Sequence, residues 1–208
     1  MLNFLNATAL RILGEDASWA ELGGFVTGLI CVWLVVRQHI ANWPVGMLNV
    51  VLLMVAFWAS GLYGDAGLQI VYVILGCYGW WVWWRRGSES SVEVRRTTAF
   101  EWVWLSIAAV AATVVLYWLL RDHLGSQVPA ADAITTTLSL VATYGQCRKL
   151  LENWWFWILA DVIYVPLYAY KHLYLTTVLY VVFLILSTIG LIAWRRDLVR
   201  AGDVPVVA

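Results

Sequence analysis

Six stretches of 15 or more residues in this 208-residue chain contain no Asp, Glu, Lys or Arg, and nothing else limits its fold as tightly. Leu22–Val36 runs for 15 residues, Gln38–Gly64 for 27, Ala66–Trp84 for 19, Trp102–Leu120 for 19, Ala133–Cys147 for 15 and His172–Trp194 for 23. A seventh, Asn153–Tyr170, is apolar but for Asp161. A helix that crosses a bilayer needs about 20 apolar residues, with about 17–25 tolerated. The runs predict seven spans, near 20–37, 43–61, 66–84, 100–120, 131–148, 153–171 and 175–194. The first residues carry Arg11, Glu15 and Asp16 and read as a short interfacial tail, not a cleaved signal peptide.

Composition agrees, with 62% apolar and 12% charged residues where a soluble domain carries about 45–50% and about 25%. That balance excludes a disordered chain, a nucleic-acid binder and a secreted disulfide scaffold. The partner it implies is the lipid bilayer. Cys31, Cys77 and Cys147 stand alone in apolar runs, with no CxxC pair and no His nearby. Neither a disulfide nor a metal site is expected, and no cofactor motif is present.

Lys and Arg in the loops set the orientation. Arg37, Arg85, Arg86, Arg95, Arg96, Arg148, Lys149, Arg195, Arg196 and Arg200 fall on one side, against Arg11, Arg121 and Lys171 on the other. The expected arrangement has the N-terminus outside and the C-terminus in the cytoplasm.

Shifted by 111 positions, the chain matches itself. Asn42-Trp43 falls on Asn153-Trp154, Leu62-Tyr63 on Leu173-Tyr174, Gly79 on Gly190, Trp83 on Trp194 and Arg85 on Arg196, with 13 of 44 ungapped positions identical. Each copy holds three predicted helices, and the span at 100–120 has no counterpart. The expected fold is an all-α integral membrane protein of seven transmembrane helices, two parallel triple-helix repeats joined by a linker helix. Its parts are a tail at 1–19, a first repeat with its cytoplasmic loop at 20–98, and the linker helix and loop at 99–130. A second repeat at 131–197 and a cytoplasmic tail at 198–208 complete it. Parallel repeats with a site between them are one plan of secondary transporters.

Ionisable groups at membrane depth are costly and are by default functional candidates. Asp161 lies nine residues past Glu152, or roughly 13 Å along a helix rising 1.5 Å per residue. Trp154, Trp157, Asp161, Tyr164 and Tyr168 recur every three or four residues and so share one helical stripe. Pro166 lies in the same helix and frees the carbonyl of Val162. Asp132, Thr136, Ser139, Thr143 and Gln146 form a second stripe, and Gln69, Tyr72, Gly76, Gly79 and Trp83 a third. Together they predict a cavity walled by rings, amides, hydroxyls and one carboxylate, suited to a small polar molecule with a flat ring. A cationic ring would suit it further. Simpler roles compete: small and hydroxyl residues also pack membrane helices, most Trp residues suit interface belts, and His39, His123 and His172 sit at helix ends.

From Glu152 through Trp154, Trp157 and Asp161 to Tyr168, the chain resembles the PnuC-type vitamin transporters, whose best-known members carry nicotinamide riboside. The resemblance extends over Trp43-Pro44-Val45-Gly46, Leu68-Gln69, Tyr78-Gly79-Trp80, Arg148-Lys149 and Leu179-Tyr180, from about 20 to 197. It implies a three-one-three helix plan, like that of the SWEET sugar carriers. It also implies facilitated uptake with trapping by a cytoplasmic kinase, in a bacterial inner membrane. Trp154, Trp157, Asp161 and Tyr168 would lie in or near the site, with Gln69 across from them. Tyr164, Tyr72, Thr136, Ser139 and Gln146 join the candidate set from the stripes. Members of the family are expected to be homo-oligomers, with a trimer among the states allowed. Thiamine or riboflavin are the alternative cargoes, a sugar the next, and a non-transporting assembly subunit the alternative of another class. A retinal protein would need a Lys inside the last helix, and Lys149 and Lys171 both lie in loops. No HExxH, GxSxG or paired intramembrane carboxylate points to an enzyme.

Overall fold

The computed structural model describes residues 8–12, 15–59, 63–86, 93–124, 128–170 and 174–202. Seven helices account for nearly all of them: α1 (Trp19–Val36), α2 (Asn42–Ala59), α3 (Tyr63–Arg86), α4 (Ala99–Asp122), α5 (Pro129–Cys147), α6 (Asn153–Tyr170) and α7 (Tyr174–Gly202). Each predicted span has its helix, with ends displaced by a few residues. The last runs well beyond the apolar stretch, because Arg195 to Ala201 contain neither Gly nor Pro and the helix ends at Gly202. Leu62 and Leu173 of the repeat, Lys171 of the charge distribution and His172 lie outside the described residues.

Two departures have simple causes. The interfacial tail contains an antiparallel pair, β1 (Thr8–Ile12) and β2 (Glu15–Ser18), which runs straight into α1; strands of five and four residues lie below what charge-free runs can reveal. Among the described residues, three helices are long and apolar enough to cross a membrane alone, at Ala66–Arg85, Ala99–Asp122 and Thr176–Arg200. The apolar parts of α1 and α2 are shorter, at Leu22–Val36 and Asn42–Val55. At 1.5 Å per residue, the 18 residues of α6 still extend about 27 Å, near the thickness of the hydrocarbon core.

Matching contacts recur 111 residues apart. Gln38 and Lys149 both have left-handed backbones, at φ 53° and 49°. Each closes the preceding helix in the same way. Gln38 N–H donates to Val35 O and His39 N–H to Leu34 O, while Lys149 N–H donates to Gln146 O and Leu150 N–H to Gly145 O. This double bond pattern satisfies the orphan carbonyls of a helix end. Asn42 Nδ2 then binds His39 O, as Asn153 Nδ2 binds Leu150 O. Trp43 stands edge-on to Trp83 with ring centres 5.4 Å apart, and Trp154 edge-on to Trp194 at 5.3 Å. Only glycine fits beneath these rings, since a Cβ at Gly79 or Gly190 would collide with the benzo edge of Trp43 or Trp154.

The two triplets are tied crosswise. Trp83 of α3 donates its indole N–H to Gln146 O at the end of α5, at 3.3 Å. Trp194 of α7 donates to Val35 O at the end of α1, at 3.2 Å. α1 therefore packs on α7 and α3 on α5, in addition to the neighbours each has in sequence. α4 lies outside this arrangement and packs chiefly on α5, where Thr113 and Thr137 hydroxyls meet at 3.0 Å. Its N-terminus is closed by a capping box between Thr98 and Glu101. The strand-like segment before it docks on the α5–α6 turn through Arg95 N–H to Lys149 O and Leu151 N–H to Arg95 O. Glu101 pairs with Arg95 at 2.6 Å and raises the Arg95 pKa further above its ordinary value.

Candidate functional site

A cavity of about 350 Å³ lies between the two triplets, within the range of small-molecule sites, about 300–1,000 Å³. All ten candidates named from the sequence line it. α6 turns Trp154, Trp157, Asp161, Tyr164 and Tyr168 into it on one stripe, and the helix stays continuous through Pro166. α3 contributes Gln69 and Tyr72, and α5 contributes Thr136, Ser139 and Gln146. The apolar helices could hide these groups only by turning them toward one another, because hydrocarbon offers no hydrogen-bond partner.

Asp161 is 3% exposed. The Ser187 hydroxyl donates to its Oδ2 at 3.2 Å, and among the described residues no cation pairs with it. The remaining acceptor capacity of the carboxylate is therefore open to hydroxyl or cationic groups of a bound solute. The Tyr72 and Tyr164 hydroxyls both face Ser139. Above Asp161 a tyrosine cluster forms: Tyr180 lies 4.5 Å from Tyr164 and 5.0 Å from Tyr168, the latter pair nearly parallel at 12°. These are planar surfaces on which a ring can stack.

At the other end the candidates serve the scaffold as well as the cavity. Trp154 is 1% exposed, wedged against Trp194 and Gly190, so much of its area is packing. Gln146 uses its side chain to reach Asn42 Oδ1 at 3.3 Å. Beyond them, Lys149 Nζ donates to Gln38 Oε1 at 2.9 Å and lies 4.6 Å from the centre of the Trp83 ring. Gln38 Nε2 continues the chain to Asp197 Oδ2 at 2.8 Å. Burial pushes Lys149 down from its usual 10.5 to about 8, a loss that the Asp197 charge only partly offsets.

Sequence reasoning missed the contributions of α7, α2 and α1, the last through Gly28, Cys31, Val32 and Val35. Tyr180, Phe183 and Ser187 line the cavity, as do Asn42, Trp43 and Asn49. The signal for α7 was present, since Tyr180, Phe183 and Ser187 recur at three and four residues. In a charge-free run of aliphatic residues it was not distinctive. Trp43 was available from its place opposite Trp154 in the repeat. No three His, Cys, Asp or Glu side chains gather into a metal-binding group among the described residues.

Seven apolar helices, six of which line an internal cavity of rings, hydroxyls and one carboxylate, define a membrane carrier for a small solute. The chain belongs to the nicotinamide mononucleotide transporter family, whose model matches residues 18–196. It is similar to the nicotinamide riboside transporter PnuC of Escherichia coli, at 26% identity covering 91% of this chain and 90% of that one. It is 31% identical to the riboflavin/roseoflavin transporter RibM of Streptomyces davaonensis, over 94% of this chain and 95% of that one. A solved structure, described as the crystal structure of the vitamin B3 transporter PnuC, superposes with a TM-score of 0.72 and 27% identity, covering 88% of this chain and 83% of that one. The protein is a multi-pass membrane transporter and not an enzyme.

Proposed function

We propose that this protein carries nicotinamide riboside across a bacterial inner membrane by facilitated diffusion, with cytoplasmic phosphorylation trapping the vitamin. The observation that supports it most is Asp161, a carboxylate without a cationic partner among the described residues, set in a ring-walled cavity. Asp161, Ser139 and Gln146 hold the ribose hydroxyls, with Thr136 and Gln69 completing the polar wall. Tyr72, Trp157, Tyr164 and Tyr168 stack on or enclose the cationic ring, for which their faces are attractive, and Trp154 forms the floor. The N-terminus lies outside and the C-terminus in the cytoplasm, as the loop Lys and Arg distribution favours. The two triplets rock against each other around the solute, and the protein assembles as a homo-oligomer, with a trimer as the first state to test.

Calorimetric binding of nicotinamide riboside, thiamine and riboflavin to the purified protein tests this reading, together with uptake into vesicles. Binding of nicotinamide riboside alone, with uptake that persists after the proton gradient is collapsed, is the expected outcome. Binding of riboflavin in its place would establish the second reading, which the 31% identity to the riboflavin/roseoflavin transporter favours.

A further inference from the structure

The cavity wall is chemically two-sided, and the 111-residue offset shows how. Val32 stands where the second triplet has Thr143, Val35 where it has Gln146, and Val50 where it has Asp161, and all six line the cavity. α5 and α6 thus provide hydroxyl, amide and carboxylate groups where α1 and α2 provide aliphatic ones. An amphipathic solute has one favoured way to lie, its hydroxyl-bearing part against α5 and α6 and the far edge of its ring, held between the aromatic faces of α3 and α6, toward α1 and α2.

Asn49 breaks that apolar wall. Its counterpart 111 residues on is Ala160, which is fully buried, whereas Asn49 is half-buried and lines the cavity. Its amide can point only one way. The Gly24 carbonyl can only accept, so the atom bonded to it is Nδ2. The same nitrogen reaches Thr27 Oγ1 at 3.1 Å, and the Thr27 hydroxyl spends its own proton on Gly23 O at 2.6 Å. Both Nδ2 hydrogens are therefore committed to α1. What is left is Oδ1, an acceptor to which no described side chain or backbone group donates.

Resting on the nicotinamide riboside reading, we propose that Asn49 is a specificity-determining residue. Its Oδ1 accepts a hydrogen bond from the ring carboxamide N–H and so selects the amide over the acid. A carboxylate in that place would set two acceptors face to face in an apolar wall, a mismatch that leaves both unsatisfied.

The test is calorimetric binding of nicotinamide riboside, nicotinic acid riboside and the N,N-dimethylcarboxamide analogue to the full-length protein, wild type and Asn49→Ala. Wild type is expected to favour the amide over the acid by about a hundredfold or more, below the discrimination of about 10⁴–10⁵ that a fully built polar site reaches. Asn49→Ala is expected to bring that ratio under about tenfold. A ratio taken on one sample is not moved by a general loss of folded protein. Should the variant not fold, the dimethyl analogue decides on wild type alone, because it lacks the N–H and is expected to bind at least tenfold more weakly. An unchanged ratio in Asn49→Ala, or equal binding of amide and dimethylamide by wild type, overturns the role of Asn49 and leaves the transport reading standing. If wild type binds no nicotinamide riboside, both fall.

Discussion

Lys149 donates to Gln38 across the junction of the two triplets, and the bonded residues are themselves 111 positions apart. Each ends a helix in the left-handed conformation, so the same turn occurs twice and the two turns meet. Gln38 supplies an acceptor to the cation and a donor to Asp197. The contact closes the bundle beyond the tryptophan end of the cavity.

That contact carries a pH signature. Lys149 is 8% exposed, and its pKa is lowered from 10.5 to about 8, chiefly by burial. Between those values the unfolded chain binds a proton that the folded protein has released. Folding is therefore favoured increasingly as pH rises above about 8, at up to about 1.4 kcal/mol per unit, and the gain levels off near the unfolded value. Lys149→Met removes this dependence. Paired thermal unfolding in detergent from pH 7 to 9.5 is expected to show wild type gaining on the variant above pH 8. Parallel curves would contradict the burial of the ammonium group.

Gly79 and Gly190 are expected to be intolerant of any side chain. A methyl group at either would enter the ring of Trp43 or Trp154, and overpacking of this kind costs about 1–3 kcal/mol. Trp43→Phe should recover part of the loss caused by Gly79→Ala, because the smaller ring vacates the contact. A double-mutant cycle on thermal stability measures the coupling. Purely additive losses would mean that Gly79 and Trp43 do not press on one another.

How far the sequence disclosed this arrangement depends on the kind of signal. The spans were legible because hydrocarbon excludes charge, so Arg37, Asp65 and Arg148 mark breaks without any knowledge of packing. Asp161 and its stripe were legible for the same reason, as polar groups at a depth where they must face inward. The Asn-Trp and Trp-x-Arg recurrences were visible because Trp43 and Trp154 make the same contacts and each needs its own glycine. Asn49 could not be interpreted from sequence, since its meaning lies in which atom faces Gly24, a matter of tertiary geometry. Trp154 was legible as a cavity residue but not as a packing anchor, because the same helical spacing serves both roles.

Asp161 should matter to binding more than to folding. A carboxylate in a largely apolar setting is costly to keep, so Asp161→Asn, which retains shape and one acceptor, is expected to leave thermal stability unchanged or raised. Solute affinity is expected to fall by about tenfold or more, because a hydrogen bond to a charged group is worth about 1.5–3 kcal/mol. Ser187→Ala removes only the donor to Oδ2 and should weaken binding less. Calorimetry beside a melting curve separates the two effects. Full affinity in Asp161→Asn would remove the charge from any part in recognition.

The crosswise tryptophans tie the helix ends of one triplet to the other. Val35 and Gln146 lie in the final turns of α1 and α5, where carbonyls lack partners within the helix. Trp194 and Trp83 reach those carbonyls from the opposite triplet at 3.2 and 3.3 Å. Trp194→Phe keeps a ring and removes the donor, leaving Val35 O with only the Gln38 N–H. The loss of one such bond is expected to cost about 1 kcal/mol. Trp83→Phe should cost a similar amount, with a further loss because Lys149 sits over that ring. Thermal unfolding of the two variants and their double compares these effects. If Trp83→Phe were the milder of the two, the contact of Lys149 with the indole face would contribute nothing to holding the two triplets together.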